Sequence, residues 1–283
     1  MNATQIPEAV ASLLGPAPRR LTGYGESVVV AGRGRVAKIG PADVVAREAR
    51  ILGQRVGRMP LEVPTLVASG TGWLVMEEVA DIVVRWDESQ YVELLVDLAA
   101  LHDAFEDAPA LSGRWLRDPS GAHLQATLAE GGDRSGIGLP NALARIPAHP
   151  TPVAQILAES RPVTLVHGDP TPANVRRAAI GHRVWIDWEW ASAASAAVDL
   201  ECWLNEWPWA FGRRYDRELC IDTYVRARRR PVDRAQLGHA IDAALVVFFF
   251  ASNLPSLARA SGTEALNALI AEGFEAVQRL GLG

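Results

Sequence analysis

Cysteine is scarce in this 283-residue chain: only Cys202 and Cys220 are present, and their spacing suits no metal. So few thiols suggest no disulfide framework, and a reducing cytoplasm is the expected setting. Long apolar runs are missing too. The most hydrophobic stretch, Ala243 to Ala251, is bounded by Asp242 and by Ser252-Asn253. That is far short of the ~20 residues a membrane span needs, so a buried helix is expected. The first eight residues, Met1 to Glu8, show no basic region followed by an apolar core, and no signal peptide is expected. Neither sign of charge dominates. Against 28 basic residues stand 33 acidic ones, a net −5, which argues against general nucleic-acid binding. No internal repeat is visible. What remains, at 49% hydrophobic and 22% charged, is the composition of a globular protein. The length allows one large domain or two lobes with separate cores.

Two short segments carry the chemistry. His167-Gly168-Asp169-Pro170-Thr171-Pro172-Ala173-Asn174 follows the apolar run Val163 to Val166. Ile186-Asp187-Trp188-Glu189 follows Arg183-Val184-Trp185. Both runs read as buried strands. Two strand ends that bring Asp, Asn and Asp together suit phosphoryl transfer. Asp169 would orient a hydroxyl and accept its proton, while Asn174 and Asp187 would hold Mg²⁺ against a nucleoside triphosphate. An Asp-Pro pair also reads as a turn, which is compatible with a catalytic loop.

The HGD and DWE triplets resemble those of the aminoglycoside phosphotransferase and choline kinase branch of the protein-kinase-like fold. The resemblance spans about residues 20 to 280 and includes Leu98-Ala99-Ala100-Leu101-His102, a recurring Leu-x-x-Leu-His pattern of the family. Pro170 and Thr171 depart from the Leu-His that commonly follows the triplet. The resemblance implies an α+β, bilobal protein-kinase-like fold. A small N-terminal β lobe with one helix would bind nucleotide, over residues 1–78. A larger, mostly helical lobe over 79–283 would hold the catalytic loop and the acceptor.

The local patterns agree with that division. Residues 27–31 and 35–39 are β-rich and joined by Gly32-Arg33-Gly34, a hairpin signal. Val45, Ala49, Leu52 and Val56 recur at helical spacing, and 65–68 and 73–76 read as further strands. Residues 106–160 hold many glycine and proline breakers, so broken helices and loops are expected. Helices are expected over 89–103, 199–210, 215–229, 233–258 and 263–279.

Lys38 sits inside a strand, where an ammonium is unusual unless it faces solvent or a partner, and Glu48 lies on the next expected helix. The resemblance implies that they pair and that Lys38 holds the α and β phosphates of ATP or GTP. Glu62 is a rival partner off any expected helix. Val36 shares the Lys38 face by strand alternation and would meet the adenine. The backbone near Glu77 and Val79 would bond the base, and Leu21 to Ser27, with the Ser27 hydroxyl, would cover the phosphates. His167 reads as a structural brace. Asp199 reads either as a helix cap or as a support for the catalytic-loop backbone, and His102 as packing. Glu189 reads either as a second metal contact or as a cap of its turn.

The resemblance places acceptor recognition in the helical lobe after Asp187 and in the irregular segment before the catalytic loop, and here Glu189, Glu201, Glu206, Trp203, Trp207 and Trp209 place acids among aromatics. That mixture suits a cationic, hydroxylated substrate such as an aminoglycoside, another basic antibiotic or an amino sugar. Trp203 and Trp207, one turn apart, are equally readable as core. The alternatives are a kinase of a neutral sugar or other metabolite, an inactive nucleotide-binding module, and a metal-dependent hydrolase using His167, Asp169, Asp187 and Glu189.

Overall fold

A computed structural model of the chain describes residues 6–21, 27–53, 59–80, 86–106, 139–178, 182–250 and 263–283. The N-terminal part is a five-stranded antiparallel sheet in the order β1-β2-β3-β5-β4. Its strands are β1 (Arg19–Leu21), β2 (Val28–Gly32), β3 (Arg35–Ile39), β4 (Leu66–Gly70) and β5 (Trp73–Glu77). The hairpin expected at Gly32-Arg33-Gly34 is present, with Gly32 paired to Arg35 and Lys38 to Val29. Arg33 and Gly34 both take positive φ there, as a tight two-strand turn requires.

Strand alternation in β3 assigns two faces. Ala37 and Ile39 pack with Val10 and Leu14 of α1 (Glu8–Leu14) in a small cluster. Val36 and Lys38 point the other way, toward α2 (Ala42–Gly53). Helix α2 buries Val45, Ala49, Ile51 and Leu52 in the main core, which continues into the helical part of the chain. The two parts therefore share one large core rather than keeping wholly separate ones. Helix α1 and strand β1 are additions that the sequence pattern did not suggest.

Helix α3 (Glu88–Phe105) starts at a reciprocal cap: Asp87 accepts from the Gln90 N–H, and the Gln90 side chain accepts from the Asp87 N–H. Short helices α4 (Asn141–Ala144) and α5 (Thr151–Glu159) follow, then β6 (Val163–Val166). The motifs sit on two small antiparallel ladders, not one. Strand β6 pairs with β9 (Ser192–Ser195), and β7 (Val175–Arg177) pairs with β8 (Arg183–Trp185). Helices α6 (Ala197–Phe211), α7 (Arg217–Ala227), α8 (Arg234–Phe248) and α9 (Thr263–Arg279) complete the molecule. Among the described residues, no helix is long and apolar enough to cross a membrane. The expected phosphate-covering loop, residues 22–26, lies outside the described residues, as do 107–138 and the Trp209 side chain.

Candidate active site

The site forms where β3 and α2 meet the ends of β6 and β8. Lys38 is the only lysine in the chain and is 6% exposed. Its Nζ lies 2.9 Å from Glu48 Oε2 and 3.7 Å from Glu189 Oε2. It also bonds Asp187 Oδ1, from 149 residues further along the chain. Burial pulls the ammonium's pKa down, but the charges of Glu48 and Asp187 outweigh it and raise the net value. Glu48 is buried. Its Oε1 accepts from the Trp188 N–H at 3.3 Å, and its Oε2 faces the Lys38 ammonium. Glu62 is not a rival: it bonds His182 at 2.8 Å on the surface.

The catalytic-loop candidate is held by its backbone. Gly168 has φ +83°, and an added Cβ there would overlap the Trp190 carbonyl oxygen. Only glycine fits at that turn. Asp199 is fully buried in the first turn of α6. Its carboxylate accepts from the His167 N–H at 2.8 Å, the Gly168 N–H at 2.7 Å and His102 Nε2 at 3.1 Å. Of the two roles weighed for Asp199, support of the loop is the one observed; the helix cap position is Ala196. His102 is therefore more than packing. Its Nδ1 accepts from the Tyr224 hydroxyl at 2.8 Å, which in turn accepts from Arg228 at 2.8 Å.

His167 is fully buried. Its Nε2–H faces the Ile186 carbonyl at 3.0 Å, so it donates; its Nδ1 faces the Asp169 N–H at 3.3 Å, so it accepts. With both nitrogens engaged it cannot ligate a metal, which removes the hydrolase ligand set. Asp169 Oδ2 accepts from Asn174 Nδ2 at 2.7 Å, and Cys202 Sγ lies 3.8 Å from Oδ1. Burial raises the Asp169 pKa, with the Asp187 charge adding to it; Asn174 and Cys202 bond the ionised form and oppose the rise. Asn174 closes a 3₁₀ turn, Pro172–Asn174, and its carbonyl accepts from the Ile186 N–H at 2.9 Å. That bond ties the two motif segments together. Asp187 takes the left-handed conformation, φ 64° and ψ 60°, which Asp tolerates better than most residues.

The three carboxylates of Glu48, Asp187 and Glu189 thus surround one ammonium. Arg47 donates to the Glu189 carbonyl at 2.6 Å and lies 3.8 Å from the Asp43 carboxylate. Burial, helped by the neighbouring carboxylates, raises the pKa of Glu189. Among the described residues no group of three or more His, Cys, Asp or Glu side chains is arranged to hold a metal ion; Asp187 and Asn174 offer hard oxygen donors of the kind that suits a divalent cation such as Mg²⁺.

The remaining expected site residues divide. Ser27 packs against Gly40 at the open end of the hairpin. Glu77 ends β5, its side chain exposed and its N–H bonded to the Thr65 carbonyl at 2.9 Å. Val79 lies just past it, half-buried. Glu206 is half-buried, and burial and the Asp169 charge both raise its pKa. Trp203 and Trp207 are fully buried in an aromatic cluster with Tyr91. The Trp203 indole donates to the Tyr91 carbonyl at 3.1 Å, so Trp203 is a core residue and not a surface for an acceptor. Glu201 is 1% exposed and lines a cavity whose wall does not include Asp169.

A model of the phosphotransferase enzyme family matches residues 28–232. The chain belongs to this family. No curated protein matches it significantly. Solved structures share its fold across nearly the whole chain. The ADP-bound aminoglycoside phosphotransferase APH(2'')-Ib is 13% identical with a TM-score of 0.59, covering 96% of this chain and 97% of that one. The choline kinase LicA from Streptococcus pneumoniae is 15% identical with a TM-score of 0.56, covering 97% and 96%. The macrolide 2'-phosphotransferase MphH from Brachybacterium faecium is 19% identical with a TM-score of 0.55, covering 93% and 96%. The phosphotransferase is thus a small-molecule kinase with the bilobal protein-kinase-like fold.

Proposed function

We propose that this phosphotransferase moves the γ-phosphoryl group of ATP or GTP to a hydroxyl of a small basic molecule, an aminoglycoside or other basic antibiotic being the leading class. The observation that carries the reading is the meeting of Lys38, Glu48 and Asp187 beside Asp169 and Asn174, five residues from four separate segments. In this reading residues 1–78 bind the nucleotide and 79–283 hold the acceptor. The base lies against Val36 and bonds backbone near Glu77 and Val79, and Ser27 lies toward the phosphates. Lys38, fixed by Glu48, neutralises phosphate charge.

Asp169 orients the acceptor hydroxyl and takes its proton as the new O–P bond forms and the β–γ bridge bond breaks, releasing the nucleoside diphosphate. Asp169 is half-enclosed and its pKa is raised, which suits it to accept a proton. Asn174 and Asp187 would hold Mg²⁺, which supplies charge neutralisation on the phosphates when bound. The acids Glu189 and Glu206 flank this region and favour a positively charged acceptor. MphH and APH(2'')-Ib, which by their names act on a macrolide and on aminoglycosides, share the fold, and that likeness supports the antibiotic class.

The test is release of ADP or GDP over a panel of hydroxylated amines and sugars with Mg²⁺, with Asp169→Asn as the control. Cells expressing the protein should also survive a drug that kills their parent. Turnover of neutral sugars alone would reject the basic-acceptor part, and silence across the panel with intact nucleotide binding would point to an inactive module.

A further inference from the structure

Behind the catalytic loop runs a buried chain of hydrogen bonds that reaches no reacting atom. Both Asp199 oxygens accept backbone N–H bonds, from His167 at 2.8 Å and from Gly168 at 2.7 Å. The third bond on that carboxylate, to His102 Nε2 at 3.1 Å, therefore takes its proton from the imidazole. A neutral imidazole carries one N–H, so Nδ1 is left as an acceptor. The Tyr224 hydroxyl meets it at 2.8 Å and is its donor. The Tyr224 oxygen accepts in turn from Arg228 Nη1 at 2.8 Å. A guanidinium only donates, so every proton in the chain points one way, from Arg228 toward the loop. His102, Asp199 and Tyr224 are fully buried, and the Arg228 side chain is buried with them.

The far end of the chain is anchored on α3. Arg228 Nε donates to Asp103 Oδ1 at 2.7 Å, and its Nη2 bonds Glu106. Asp103 Oδ2 also accepts from the Arg229 N–H at 2.7 Å. His102 is fixed from its backbone as well, its carbonyl accepting from the Thr164 hydroxyl of β6 at 3.0 Å. Helices α3, α6 and α7 thus meet at one imidazole. We infer that Tyr224, oriented by Arg228, is a positioning residue for phosphoryl transfer. Its hydroxyl holds His102 in the Nε2–H tautomer, and His102 holds Asp199 so that each oxygen takes a loop N–H. Those two bonds place Asp169, the next residue along. This inference rests on the phosphotransferase reading and adds to it a residue that touches no substrate. Packing accounts for the Tyr224 ring, which lies in the main core, but a phenylalanine would pack there as well. The hydroxyl is what the imidazole needs, because a buried acceptor left without a donor is costly. A small shift passed to the loop matters, since a misplacement of about 1 Å can lower a rate roughly 10²-fold.

The experiment begins on the full chain without an acceptor. Imidazole ¹H–¹⁵N spectra near neutral pH should show His102 carrying its one proton on Nε2. Amide exchange then reads the loop: Tyr224→Phe should speed exchange of the His167 and Gly168 N–H groups tenfold or more. Affinity for Mg²⁺–ATP, by calorimetry, should stay within about twofold. Over the panel of hydroxylated amines and sugars, kcat by ADP release should fall tenfold or more at an unchanged nucleotide KM. Cys220→Ala, one turn before Tyr224 on α7 and buried, is the packing control; it should lower Tm and move neither loop exchange nor kcat. His102→Gln keeps an N–H for Asp199 and removes the Nδ1 acceptor. Adding Tyr224→Phe to it should cost nothing further, because residues acting in series are not additive. A His102 proton on Nδ1, loop exchange indifferent to Tyr224→Phe, an equal effect of Cys220→Ala, or additive effects in the double variant would overturn the inference. Faster loop exchange in the variant, with no turnover of any alcohol by the parent, would remove the transferase reading. Turnover by the parent that Tyr224→Phe leaves unchanged would remove only the positioning role.

Discussion

Replacing Lys38 by Met keeps the side chain's length and removes its charge. The variant leaves Glu48, at 1% exposure, with the Trp188 N–H as its one remaining partner, at 3.3 Å. Breaking a buried ion pair from one side costs about 3–5 kcal/mol. At about 2–3 °C per kcal/mol for a protein of this size, Tm should fall by roughly 6–15 °C at pH 8. The loss should be smaller at low pH. Without the ammonium, burial holds the Glu48 carboxyl above its unfolded value. A carboxyl with a raised folded pKa contributes its stability below the unfolded pKa and loses it as pH rises through the folded one. The variant should therefore recover toward the parent as pH drops from 8 to 5. Lys38→Met with Glu48→Gln should recover at every pH, because the orphaned charge is gone. Melting curves across this range decide the matter. A single variant within about 2 °C of the parent at pH 8, or a double variant no better than the single, would refute the reasoning.

Asp169→Asn should keep nucleotide affinity and lower kcat by roughly 10²–10⁴-fold, the usual range for a positioned acid–base group; stopped ADP release is the measure. In the parent, kcat should fall as pH drops through the raised Asp169 pKa, and Cys202→Ala, which removes a bond to the ionised form, should move that acid limb to higher pH. Asp187→Ala should abolish Mg²⁺-dependent nucleotide binding, while Asn174→Ala should weaken it less because only a neutral ligand is lost; calorimetry with and without Mg²⁺ separates them. Gly168→Ala should reduce stability by more than the ~1–2 kcal/mol of a left-handed non-glycine residue, since its Cβ also meets the Trp190 carbonyl; denaturant titration measures it.

The site residues that sequence made visible share one property: each is a polar group where the local pattern demands an apolar one. Lys38 interrupts a β-rich run, and Asp169 and Asp187 end two of them. Such conflicts between local pattern and residue type mark function. What stayed hidden depends on helix rotation. Glu201, Cys202 and Trp203 are consecutive, yet one lines a cavity, one touches Asp169 and one is core. Each residue turns about 100° on the helix, and only tertiary packing sets the zero of that angle. The choice between the two roles of Asp199 stayed open for a similar reason, because its partners at His167 and Gly168 lie 32 and 31 residues away. Strand β9, Ser192–Ser195, was missed because small residues carry no burial alternation. A signal was available for Lys38 and not used: every other basic residue of the 28 is an arginine.

That bias gives the protein a chemical address. Apart from the chain's α-amine, any reagent or enzyme that acylates amines can modify this polypeptide at one atom, the Lys38 Nζ, which is sealed among three carboxylates. An acyl group gained beyond that of the α-amine therefore counts exposure of Lys38, without mutation or labelled ligand. Coupling the protein to an amine-reactive support would in turn fasten it either by its α-amine or through the ammonium that the proposed function sets against the phosphates, and the second population should be silent.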